Sequence, residues 1–382
     1  MTGSLQIKNE KYYAVVNCYE NGKRKQKWIP TGLDTKNNKR RAEHFLLAIL
    51  KNDEVGLEAS EKKEENFSGC VRKWLEQVKY VVDEVTYCGY ESIAKLHVLP
   101  YFDEKKVMIQ NVTVDILQQY FNEKRSNGRL DGNGRLSPQS LRLHKNVINQ
   151  TLKFAQKNGL ISENPCEFVA LPKSERFEST FYTAQQMKML FKAIEGDALA
   201  NLIKITAIYG LRRSEVLGIK KDSIDFENNL LNIKHTVLQV GKRIIEKDKT
   251  KNATSRRSFP LTDETKAIFQ KTLADEKENR KLFGKEYHEN DYIFKWDDGK
   301  PFMPDYVTKH FSKLLEKNNL PHIRFHEIRH SCASLLLNEN WTLKDVQEYL
   351  GHADITTTAN IYGHLDVSRK ANMVDKLSDV LS

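Results

Sequence analysis

Residues 52–66 are acidic and polar and show no apolar period. A stretch of that kind has nothing to bury, so it reads as a linker, and the chain cannot be built on one continuous core. A second break comes at Asn164-Pro165 and Leu171-Pro172, because the residue before a proline is pushed out of the helical region. These breaks divide the chain into residues 1–51, 67–170 and 175–382. Its 382 residues are enough for more than one hydrophobic core.

The three parts differ in pattern. Residues 5–33 read as a small sheet. Tyr12, Ala14, Val16 and Cys18 recur at strand period, and Asn21-Gly22 is a two-residue hairpin signal because both positions tolerate positive φ. The partner strand runs from Lys23 to Ile29, and a helix follows from about Arg40 to Lys51. Residues 67–170 read as helical. Ser137 caps a helix with Pro138 in its first turn, Leu141, Ile148, Leu152 and Ala155 share one face, and Gly159 ends it. In the third part Thr183 and Gln186 form a capping box ahead of Leu190, Phe191 and Ile194. Strands are expected around 230–237, 243–249 and 257–261, and helices from about Asp263 to the end. The predicted fold is mainly α with small β-sheets, an α+β chain in three parts.

Charge is unevenly spread. The formal net charge is +10, and residues 1–51 alone hold eleven Lys and Arg against four Asp and Glu. Lys23, Arg24, Lys25 and Lys27 sit on one hairpin, which suits a polyanion such as nucleic acid. The plainer reading is an edge strand guarded by lysines. The five cysteines are scattered and form no C-x-x-C pair, which fits a reducing cytoplasm and argues against a disulfide frame or a cysteine zinc site. No run approaches the ~18 apolar residues of a membrane span, and the first residues do not read as a signal peptide. A cytoplasmic chain without a membrane partner is expected.

Four separated segments carry candidate chemistry. They are Gly210-Leu211-Arg212-Arg213-Ser214-Glu215, Lys251 ahead of Ser255 and Arg257, His326-Glu327-Ile328-Arg329-His330, and Leu350-Gly351-His352 with Tyr362 beyond it. Singly, each has a bland explanation: a surface arginine, a hairpin lysine, a turn histidine, a core tyrosine. The third segment also matches the zinc-protease pattern H-E-x-x-H, with Glu348 available as a third ligand. That reading leaves Arg212, Lys251 and Tyr362 unused and sets Arg329 beside a metal cation.

Taken together and in this order, the segments resemble the tyrosine recombinase (phage integrase) family. The specific motifs lie in residues 181–382. The two N-terminal parts are more loosely similar to the arm-binding and core-binding domains of integrases from temperate phages and conjugative transposons of Gram-positive bacteria. The resemblance implies a site-specific recombinase that cuts and rejoins DNA through a 3′-phosphotyrosyl bond to Tyr362. Attack on a phosphodiester builds charge on its non-bridging oxygens, and two guanidinium groups, Arg212 and Arg329, suit that charge. His326 is the candidate general base, since an imidazole titrates near neutrality while a phenol does not. Lys251 would protonate the departing 5′ oxygen, with Lys249 as the alternative two residues away. His352 would donate to the phosphate, and His330 would help hold it.

The covalent link conserves bond energy, so no ATP, metal or other cofactor is expected. The implied partners are double-stranded DNA at core and accessory arm sites, and copies of the same chain in a tetramer. The apolar tail residues Val367, Met373, Val374, Leu377, Val380 and Leu381 would join neighbouring subunits in it. An excision or DNA-bending accessory protein is a further possible partner. Two other classes stay open at this point: a DNA-binding regulator that keeps the scaffold without activity, and a zinc hydrolase.

Overall fold

The computed structural model describes residues 2–20, 23–35, 38–57, 65–173, 180–241, 243–247 and 257–352, with 354, 355, 359, 374, 375, 377–379 and 381 beyond them. The chain divides into two compact units, Met1–Ser174 and Glu175–Ser382.

The first unit begins with an antiparallel sheet of β1 (Thr2–Lys8), β2 (Lys11–Glu20) and β3 (Lys23–Asp34), in that order. Glu20 pairs with Lys23, so the connection at Asn21-Gly22 is two residues long, as the hairpin signal requires. The strand β1 starts earlier than the sheet expected from Leu5. Its turn is made by Asn9 and Glu10, both at positive φ (51° and 59°), a turn in which glutamate gives no warning. Helix α1 (Lys39–Leu57) covers the face that carries buried Tyr12, Ala14 and Val16, and a Cβ added at Gly3 on that face would lie 3.0 Å from Leu46 Cδ1. The helix therefore runs past Lys51 into the segment expected as linker. No proline interrupts residues 39–57, and polarity alone does not stop a helix.

The rest of the unit is helical: α2 (Phe67–Val78), α3 (Glu84–Ile93), a π turn over Ala94–Val98, α4 (Leu99–Lys105), α5 (Val114–Asn127) and α6 (Pro138–Lys157). Ser137 accepts from the Ser140 amide at 3.1 Å, and Pro138 occupies the first turn. At the other end Gly159 takes φ +70°, while the Leu160 and Gly159 amides donate to the carbonyls of Ala155 and Gln156. That is a Schellman end, in which a left-handed glycine lets two orphan carbonyls be satisfied. Leu141, Ile148, Leu152 and Ala155 are fully buried against Phe67, Phe102, Leu117 and Tyr120.

The second unit contains α7 (Ala184–Ala193), α8 (Ala200–Tyr209) and α9 (Arg213–Leu217), then short strands β4 (Ile224–Asp225), β5 (Leu230–Asn232), β6 (Thr236–Val240), β7 (Arg243–Lys247) and β8 (Ser258–Pro260). Helices α10 (Asp263–Phe283), α11 (Pro304–Lys317), α12 (Glu327–Asn338) and α13 (Leu343–Leu350) follow. The sheets are β4-β5-β8 and the hairpin β6-β7. Thr183 and Gln186 make the reciprocal capping bonds, at 3.2 and 2.9 Å. The helices expected from about Asp263 onward are present, with a largely irregular stretch over residues 284–303 between the first two. Gly284 leaves α10 at φ +51°, and isolated bridges Lys220↔Tyr292 and Lys295↔Pro301 hold the connection. Among the described residues no helix is long and apolar enough to cross a membrane.

Candidate active site

Helix α8 is apolar along most of its length and ends at Gly210, which adopts φ +58°. A side chain there would clash: an added Cβ would stand 2.4 Å from Leu350 Cδ2 and 3.2 Å from Cys332 Sγ. The chain therefore turns tightly over α12 and α13 and delivers Arg212 to the start of α9. The Arg212 amide donates to Glu215 Oε2 at 2.9 Å, Nη1 donates to Glu215 Oε1 at 2.6 Å, and Nη2 donates to the Gly351 carbonyl at 3.0 Å. The Arg212 side chain keeps 32% of its surface exposed.

Arg329 arrives from α12 and is completely buried. Its Nη1 donates to the Gly210 carbonyl at 2.8 Å, 119 positions away in sequence, and Nη2 donates to the Leu350 carbonyl at 2.7 Å. Its Nε is buried without a hydrogen-bond partner. Burial and the neighbouring Arg212 draw this guanidinium down to about 9, so it stays charged at neutral pH. The turn Leu350-Gly351 thus offers adjacent carbonyls to the two arginines. It can do so because α13 ends in a left-handed glycine, Gly351 at φ +67°.

Three histidines surround this pair. His326 is the N-cap residue of α12, and its ring lies 5.0 Å, edge to face, from that of His330. His352 follows the Leu350-Gly351 turn and is nearly buried. Burial, reinforced by His330, Arg329 and Arg212, takes His326 down to about 4. Burial, then Arg329 and Arg212, takes His352 to about 3. His330 is lowered too, chiefly by burial, and its Nδ1 has no hydrogen-bond partner. All three are neutral imidazoles at pH 7, able to accept a proton or, through one ring nitrogen, to donate a hydrogen bond.

Four of the six expected catalytic residues, Arg212, His326, Arg329 and His352, are therefore brought together. Lys251, its alternative Lys249, and Tyr362 lie outside the described residues, as do most of the tail and the side chains of Lys23 and Arg24. Lys25 and Lys27 are exposed and share a face of β3, paired with Cys18 and Val16.

Sequence reasoning passed over two groups. Glu215 is 2% exposed and accepts from Arg212 and also from Arg257, whose Nη1 and Nη2 lie 3.3 and 3.0 Å from its two oxygens. Arg329 Nη1 stands 3.8 Å from the same carboxylate. The one available signal was the spacing of Glu215 three residues after Arg212, which is that of a capping box.

The H-E-x-x-H pattern does not gather a metal site among the described residues, where no group of three His, Cys, Asp or Glu side chains converges. Glu327 is buried and turned to Arg324, accepting from its amide at 2.6 Å and from Nη2 at 2.8 Å. Glu348 pairs with Lys344.

Residues 180–369 match the model of the phage integrase family, and residues 66–125 match the phage integrase N-terminal SAM-like domain. A XerC-like tyrosine recombinase of Caldanaerobacter subterraneus is 28% identical over 283 residues, covering 69% of this chain and 70% of its own. The ICEBs1 integrase of Bacillus subtilis is 25% identical over 300 residues, covering 77% and 78%. The fold is similar to that of the Tn1549 transposon integrase, solved in complex with a circular intermediate DNA, at a TM-score of 0.65 and 20% identity over 82% of this chain and 99% of that one. With both family models matched in chain order, and the arginines and histidines of the motifs assembled around one turn, the chain belongs to the phage integrase family and is a tyrosine recombinase.

Proposed function

We propose that this chain integrates and excises a mobile element, cutting and rejoining double-stranded DNA through a 3′-phosphotyrosyl bond to Tyr362. The observation that carries the reading is the arginine pair: Arg212 and Arg329 are held by the adjacent carbonyls of Gly351 and Leu350, beside histidines that are neutral at pH 7. Arg212 has exposed surface to offer, and Arg329 supplies fixed charge from beneath.

In the proposed step the Tyr362 oxygen bonds to phosphorus as the bond from phosphorus to the 5′ oxygen breaks. The phenolic proton passes to His326, whose imidazole is unprotonated and free to accept it. Lys251 gives a proton to the departing 5′ oxygen. Arg212, Arg329 and His352 meet the charge on the non-bridging oxygens, with His330 in support. Reversal with a different 5′ hydroxyl rejoins the strand and needs no nucleotide or metal.

Around this centre we assign residues 1–51 to accessory arm sites, residues 67–170 to the core site and 175–382 to catalysis, in the cytoplasm. Lys23, Arg24, Lys25 and Lys27 would contact arm DNA, largely at phosphates. In the tail Val374, Leu377 and Leu381 are 65%, 59% and 77% exposed, which supports docking on a neighbouring copy in a DNA-bound tetramer. An excision or DNA-bending protein would act with it. The experiment is incubation with duplex DNA spanning the junction between the element that encodes this chain and its host chromosome, followed by mapping of the covalent adduct. An adduct on Tyr362 is expected, and Tyr362→Phe should form none while binding the duplex as before. An adduct that persists in the Phe variant would remove Tyr362 from the role.

A further inference from the structure

The proposed reaction sets two guanidinium groups at one phosphate, yet the cluster around the buried Glu215 carboxylate holds three. Arg257 is the third. Its side chain is 9% exposed, and its guanidinium lies over the Phe259 ring at 5.3 Å. That ring is fixed in turn by Tyr209 and Tyr349, with centroids 5.1 and 5.0 Å away. Arg257 is therefore packed in place. What it does reach is Glu215, with both terminal nitrogens on both oxygens. This fork-to-fork pairing is the strongest geometry the two groups can make.

Glu215 could in principle be satisfied by Arg212 alone, which already donates twice to it. That arrangement would pull Arg212 inward and cancel much of its charge. Burial would raise the Glu215 carboxyl, but Arg257, ahead of Arg212 and Arg329, holds it at about 2, so it is ionised throughout the working range. One negative and three positive groups leave the site with two net positive charges. Remove Arg257 and only one remains.

We infer that Arg257 is the counter-ion of Glu215, a positioning residue whose pairing with that carboxylate leaves the charge of Arg212 and Arg329 available to the scissile phosphate. The inference rests on the reading above in which Arg212 contacts that phosphate and Arg329 adds its fixed charge from beneath. Arg257 never touches the DNA, so its effect is electrostatic and passes through Glu215.

The test is single-turnover cleavage of the junction duplex in two forms, one with the ordinary phosphodiester and one with a methylphosphonate at the scissile position. The second has no negative charge at phosphorus, so a site short of one positive charge is penalised less on it. Arg257→Gln should lose about 10- to 100-fold in rate on the phosphodiester relative to the unaltered chain, the scale of losing part of one electrostatic contact. On the methylphosphonate the same ratio should stay within about threefold, and the dissociation constant for the duplex should not change, because no phosphate contact is lost. The double variant Glu215→Gln with Arg257→Gln removes one charge of each sign, so it should recover much of the phosphodiester rate. Arg257→Lys, which keeps the charge but not the fork, should fall between. Equal losses on both duplexes, whether from misfolding or from a purely structural role, would overturn the inference, as would full activity of Arg257→Gln. If the unaltered chain forms no adduct on either duplex, the failure belongs to the recombinase reading.

Discussion

Glu215, His326 and His352 all favour folding above the same side of the pH scale. A carboxylate whose folded value is about 2 stabilises the native state above its free value of 4.5, and that contribution disappears as the pH falls through 2. It is on the order of 3 kcal/mol, at about 1.4 kcal/mol for each unit between the two values. The histidines act earlier. Their folded values of about 4 and 3 lie below the free value of 6.5, so the unfolded chain takes up their protons first and stability falls from about pH 6.5 downward. The thermal midpoint of the second unit, without DNA, should drop steadily between pH 7 and pH 4.5. The double variant His326→Gln, His352→Gln should show a shallower drop over that window. A midpoint that stays level to pH 4.5 would show that the histidines are not buried as neutral groups. At this scale the sequence motifs pointed to Arg212, His326, Arg329 and His352 because residue type and order carry the chemistry. Glu215 and Arg257 escaped because what makes them matter is burial, and nothing in the text of a chain marks a charge as buried.

Elements whose ends are decided by their own residues could be read ahead of the structure. The Thr183 and Gln186 box, the Ser137-Pro138 start and the Gly159 stop depend on local hydrogen bonds and local φ, and each stands where its residues implied. The stretch 284–303 could not be read this way. It is held by bridges to residues such as Lys220, far away in sequence, and by Gly299, where an added Cβ would lie 2.4 Å from the His288 carbonyl. The same kind of long-range constraint fixes Gly210. An alanine there meets a left-handed φ and a contact with Leu350 that is far too short. Strain and overpacking together should destabilise the second unit by about 2–4 kcal/mol. Because the Gly210 and Leu350 carbonyls hold Arg329, cleavage should fall even in the fraction that remains folded. Denaturant melts of Gly210→Ala, paired with single-turnover cleavage, check both parts. A loss of stability under about 0.5 kcal/mol, the range of an ordinary surface change, would mean that the turn can relax at little cost.

At the scale of the whole molecule, charge and chemistry are carried by different parts of the chain. Residues 1–51 hold eleven basic residues against four acidic ones, a surplus of seven out of a net ten for all 382. The assembled arginine and histidine groups all lie between residues 210 and 352, in the second unit. Helix α1 packs on its own three-stranded sheet, and the core around Phe67, Phe102, Tyr120 and Leu152 is built from residues 67 onward. Removing residues 1–64 therefore takes away the basic sheet and its helix and leaves the residues of the helical core and of the arginine and histidine cluster in the chain. Phosphate contacts release counterions, so affinity falls with salt at a slope of about 0.9 per contact in logarithmic terms. The shortened chain should form its adduct on a core-site duplex at nearly the full rate. It should lose affinity for longer junction DNA that includes accessory sites, and the salt dependence of that binding should flatten by a few contacts. Titration of both chains on short and long duplexes at several salt concentrations measures this directly. If the shortened chain failed to cleave the short duplex, residues 1–64 would be part of the catalytic assembly. If it bound the long duplex with an unchanged slope, the basic hairpin of Lys23, Arg24, Lys25 and Lys27 would be a solvated edge strand and nothing more.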